Sequence, residues 1–114
     1  MARYMLLLGG ADLDKRSANA QLSQTMLEQY SVWVRNLATA GRLRETYKLD
    51  DRTGTRLTVR GGEVLEGPFI ETKDAIGGVF VIEAASLEEA TALAYESPVL
   101  HLQHGYVEVR PVER

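Results

Sequence analysis

Glu66-Gly67-Pro68-Phe69-Ile70-Glu71-Thr72-Lys73, with Gly77-Gly78 close behind, is the stretch around which the rest of the chain can be ordered. It sets a turn, an aromatic ring, two acids and a lysine between two strand-like runs, more chemistry than a plain connection needs. Gly-Pro ends the run before it, since glycine takes turn conformations freely and proline cannot donate to a strand ladder. On the N-terminal side, Glu63 to Leu65, Arg56 to Arg60 and Leu43 to Leu49 read as short extended runs. Gly61-Gly62, and Asp50-Asp51 with Thr53-Gly54, are the turn signals between them. Further back, Leu22, Met26, Tyr30, Trp33, Val34 and Leu37 recur at three- and four-residue steps, the apolar stripe of one helix. Gly41 is its stop signal, because a residue without Cβ takes the left-handed cap conformation cheaply. A polar stretch from Ala11 to Ala20 separates that helix from Arg3-Tyr4-Met5-Leu6-Leu7-Leu8, a short central strand ended by Gly9-Gly10.

On the C-terminal side, Gly78 to Ala84 is a strand rich in branched and aromatic residues. Ser86-Leu87-Glu88-Glu89 is a capping box in which the serine accepts from the N3 amide and Glu89 reaches back. The helix it opens runs through Ala90, Leu93 and Ala94 and stops near Ser97-Pro98, because proline disfavours helix in the residue before it. Tyr106 to Pro111 is the last strand. The order is β-α-β-β-α-β with an extra hairpin in the second β region. It predicts an α+β, ferredoxin-like domain spanning residues 1–114, with both helices on one face of an antiparallel sheet.

The other sheet face is then a problem of solvation. Alternation puts Val107 and Val109 on one side of the last strand and Tyr106, Glu108 and Arg110 on the other. In the first strand both alternating sets are apolar, Tyr4, Leu6 and Leu8 against Met5 and Leu7. One chain of 114 residues has no spare element to cover that second face. A homodimer packed sheet to sheet around a partly polar cavity is therefore expected.

Bulk composition bounds the function. The chain is 45% hydrophobic and 25% charged with a net charge of −3, and its acids and bases are mixed along the sequence. Direct nucleic-acid binding has no basic tract to rest on. Cysteine is absent, which excludes disulfides, thiolate nucleophiles and cysteine metal sites. The run Tyr4 to Leu8 is too short for a signal-peptide core or a membrane span, so a cytoplasmic protein without membrane attachment is expected. No nucleophile elbow or phosphate-binding glycine loop occurs, and no cofactor is implied.

Over nearly its whole length the chain resembles the YCII-related family, in particular its DGPF subgroup. The resemblance is carried by Tyr4-Met5-Leu6-Leu7, Trp33, Gly67-Pro68-Phe69-Ile70-Glu71-Thr72-Lys73, Gly77-Gly78, Pro98 and Glu108-Val109-Arg110-Pro111. It implies a dimeric α/β barrel and a frequent association with extracytoplasmic-function sigma factors. The subgroup's name-giving aspartate is Glu66 here. Other branches look like enzymes with a histidine in the first helix and an aspartate before the proline that follows the second. Those positions are Tyr30 and Ser97 in this chain, so that dyad is not transferred.

The candidate ligand-binding residues are Glu66, Phe69, Glu71, Lys73, Tyr30, Trp33, Tyr106, Glu108 and Arg110. Glu71 and Lys73 alternate towards one surface, where they can orient a small polar ligand or form an exposed ion pair worth little. Glu108 and Arg110 share a strand face. Arg110 can clamp a carboxylate or phosphate bidentately, or the pair can fix dimer register. Tyr4, Tyr30, Trp33 and Tyr106 can wall a cavity, though such residues are more often core. His101 and His104, at i and i+3, are the candidate catalytic residues. They reach a common metal only if their segment is helical, and a surface role is the ordinary one. No metal site is expected. The expected function is binding of an unidentified small molecule in the dimer cavity, in a regulatory setting. The alternatives are a cofactor-free lyase or isomerase using a histidine or carboxylate as general acid/base, and a protein partner of a transcription factor.

Overall fold

The computed structural model describes residues 1–10, 20–50, 54–67, 76–102 and 104–113, and the side chains of the first helix from residue 24. In chain order the elements are β1 (Ala2–Gly9), α1 (Ala20–Thr39), β2 (Leu43–Lys48), β3 (Leu57–Arg60) and β4 (Glu63–Glu66). They continue with β5 (Ile76–Ala84), α2 (Leu87–Tyr95), a short 3-10 helix (Pro98–His101) and β6 (Tyr106–Pro111). One antiparallel sheet has the strand order β2-β5-β1-β6, and β3 and β4 pair separately as a hairpin. This is the expected α+β, ferredoxin-like arrangement with its extra hairpin.

Strand alternation sorts the side chains as read. Tyr4, Leu6 and Leu8 of β1 and Phe80, Ile82 and Ala84 of β5 face the helices and are buried. Trp33 and Leu37 of α1 and Ala90 and Ala94 of α2 close over them. Alanines at both buried positions of α2 let this short helix approach the sheet closely. Trp33 joins the layers: its ring lies 4.8 Å from that of Phe80, and its Nε1 donates to the Leu93 carbonyl at 3.1 Å. Val107 and Val109 pack against the same core from β6.

Capping fixes the helix ends. Beyond α1, the amide of Arg42 donates to Leu37 and that of Gly41 to Ala38, a Schellman pair closed by Gly41 at φ 72°. At the start of α2 the Ser86 hydroxyl accepts from the Glu89 amide at 3.1 Å. Glu89 does not complete the reciprocal box on Ser86. Its Oε1 accepts from the Ala85 amide at 3.0 Å and also pairs with Arg42, a residue beyond local sequence reach.

The 3-10 helix is the element the sequence reading lacked. Ser97 is buried and its hydroxyl accepts from the Val99 amide at 3.4 Å, with Pro98 pre-set for the first turn. Gly105 then passes so near this turn that a Cβ there would collide with the Val99 carbonyl. Across its thinnest axis the molecule measures 19 Å, the depth of one sheet and one helix layer. No described element covers the sheet face away from the helices.

Candidate functional site

The open sheet face carries the most distinctive side-chain arrangement. Met5 and Leu7 of β1 lie opposite Val81 and Val79 of β5, and all four are only half-buried. On the β6 side Arg110 pairs in register with Met5, Glu108 with Leu7 and Tyr106 with Gly9. On the β2 side Glu45 lies opposite Val81 and Tyr47 opposite Val79. An apolar centre is thus bounded by two tyrosines and by charges of both signs. Glu83 holds part of that boundary, 2.9 Å from Arg44 and 3.8 Å from Arg3. Glu108 and Arg110 lie 3.6 Å apart and exposed, too solvated in one chain to contribute much. Covered by a second surface, the same two groups would need partners and would bind anions or donors far more firmly.

A groove lies on the helix side of the molecule. Open and about 530 Å³ in volume, it runs between the outer flank of α1 and the segment after α2. Glu28, Gln29, Trp33 and Asn36 line one wall, and Glu96, Pro98 and His101 the other. His101 ends the 3-10 helix, whereas His104 lies beyond it with φ 67°, so the two histidines do not share a helical turn. Among the described residues no cluster of histidine and acidic side chains has metal-binding geometry.

The sequence-selected residues therefore fall in separate places. Tyr106, Glu108 and Arg110 belong to the open sheet face. Trp33 is buried on the helix side, and Tyr30 meets its ring edge-on at 6.3 Å. His101 edges the groove, and His104 is exposed at the approach to β6. Glu66 is exposed at the end of β4; Phe69, Glu71 and Lys73 lie outside the described residues. Sequence reasoning did not single out Tyr47, Glu45, Val79 and Val81. Alternation along β2 and β5, set against the pairing with β1, is the signal that would have found them.

The two-layer fold defines a ferredoxin-like α+β domain, one sheet face of which is left open by the described elements. Residues 3–114 match the family model described as the YCII-related domain. The chain belongs to that family. It is 33% identical over 92 residues to an uncharacterised protein of Rhizobium meliloti (strain 1021), covering 78% of this chain and 74% of the relative. Among the described residues no helix is long and apolar enough to cross a membrane.

Proposed function

We propose that this chain is a DGPF-type member of its family that pairs sheet to sheet as a homodimer. The pair closes an α/β barrel around a cavity that binds a small polar or aromatic molecule. The open face carries this reading: an apolar centre of Met5, Leu7, Val79 and Val81 within a polar rim. A face of that kind gains from being covered, and its rim supplies the few directed polar groups that a ligand cavity needs. Tyr47 and Tyr106 offer aromatic walls with hydroxyl tips, and Arg110 a fork for a carboxylate or phosphate. A cytoplasmic, regulatory setting belongs to the proposal, after the subgroup's association with sigma factors.

The test is a thermal-shift screen of small carboxylates, phosphates and aromatic acids, repeated on Arg110→Ala. The variant should lose the stabilisation that an anionic hit gives the wild type. Undiminished stabilisation removes Arg110 from the site.

The groove supports a second reading, acid–base catalysis with His101 as the base. It brings a histidine and two carboxylates, Glu28 and Glu96, to one concavity. Hydrogen exchange with a bound hit separates the two readings. Protection in β1 and β5 supports the dimer cavity, and protection confined to α1 and the 3-10 helix supports the groove.

A further inference from the structure

The β3–β4 hairpin is exposed along nearly its whole length. Its strands pair Leu57 with Glu66, Thr58 with Leu65, Val59 with Val64 and Arg60 with Glu63. Pairing and alternation gather Leu57, Val59 and Val64 on one face, where they remain 64%, 74% and 68% exposed. Gly61 and Gly62, at φ 60° and 81°, make the tight turn that matches strand twist, and the Gly67 amide closes the base on the Arg56 carbonyl at 2.6 Å. The hairpin is therefore well formed, yet among the described elements its strands pack chiefly on each other. A lone two-stranded hairpin is marginal in water, and one with an apolar face needs a surface to lie on.

The molecule's dimensions agree. Its radius of gyration is 15.7 Å, whereas a compact chain of this length would have about 13 Å. Tyr47, Leu49 and Ile76, at the end of the sheet from which the hairpin departs, are also exposed apolar side chains.

We infer that the hairpin is a dimer arm whose Leu57, Val59 and Val64 face lies on a second copy of this chain. The inference rests on the sheet-to-sheet pairing proposed above and adds to it. Interface area is what selects a second copy as the occupant. Four strands of about six residues present a face of roughly 20 by 20 Å, on the order of 400 Å². A stable interface buries about 800 Å² on each partner. The sheet face alone falls short, and its central side chains are already half-buried. The arm adds three large, mostly exposed apolar side chains and, by two-fold symmetry, covers a comparable area on its neighbour. Charge agrees with self-pairing. The sheet rim offers Arg3, Arg44 and Arg110 alongside Glu45, Glu83 and Glu108, a balance that lets one surface face its own copy.

The test uses the full chain. In Leu57→Thr/Val59→Thr/Val64→Thr all three positions carry strand-favouring β-branched residues while apolar area is lost. Sedimentation equilibrium of wild type and variant, with circular dichroism to confirm folding, should show the dimer dissociation constant raised about tenfold or more. Because the chain has no cysteine, Val59→Cys places a sole thiol on the arm for a benzophenone photo-crosslinker. Crosslinks between two chains are expected. A dimeric wild type with an unchanged dissociation constant in the triple variant, or crosslinks within one chain only, would overturn the arm and leave the sheet-face pairing standing. A monomeric wild type would overturn both.

Discussion

Trp33 shows how one side chain can fasten three elements. Its indole lies against Phe80 of the sheet, meets Tyr30 on its own helix, and donates to Leu93 of α2. Trp33→Phe keeps an aromatic ring but removes the donor and part of the buried area, leaving the Leu93 carbonyl without this partner. Urea unfolding should show a loss of about 2 kcal/mol. A loss within error would mean that the indole hydrogen bond contributes nothing net. Its burial was half legible beforehand, since the helical stripe contains Trp33, but a stripe cannot say which carbonyl the indole reaches. The same limit applies to His101 and Tyr106. Periodicity assigns a face to residues in regular elements, and the turn carrying His101 is set by the Ser97 hydroxyl and the close approach of Gly105. Sequence reading let Trp33, Tyr30 and Tyr106 wall one cavity and gave the histidines a surface role, whereas the sheet separates the groove holding Trp33 and His101 from the face holding Tyr106.

At the level of elements, the order of strands and helices along the chain and the helix ends were legible because each depends on local chemistry. Alternation, the Gly41 stop and the Ser86 cap are readable within a few residues. The Arg42–Glu89 pair was not, because the fold brings the residue after α1 to the first turn of α2. Hydrogen bonding from the Ala85 amide, and then the Arg42 side chain, lowers the Glu89 carboxyl below its ordinary pKa of 4.5. A lowered folded-state pKa contributes stability that is present above the unfolded value and is lost as pH falls through the folded value. Glu89→Gln should therefore be less stable than wild type at neutral pH, and the difference should shrink on acidification below 4.5. Paired denaturant titrations across that range measure it; a difference independent of pH would contradict the role given to the charged carboxylate.

For the whole molecule, the decisive feature is one helix layer on a sheet with two apolar sides. The first strand announced this, because both of its alternating sets are apolar. What no single strand could announce is the composition of the face that no described element covers, which is assembled from four strands whose neighbours in the sheet are not consecutive in sequence. Its centre is too apolar for water, its rim balances arginine against glutamate, and the hairpin carries a further apolar surface beyond it. Pairing of two copies through this face would shield its centre and bring Glu108, Arg110 and Tyr106 from both chains around one space. Equilibrium sedimentation of the wild type and of Leu7→Arg at micromolar concentration tests the pairing most directly. Twice the chain mass for the wild type and a single chain mass for a folded Leu7→Arg are predicted; a monomeric wild type, or a Leu7→Arg dimer of unchanged affinity, would contradict it.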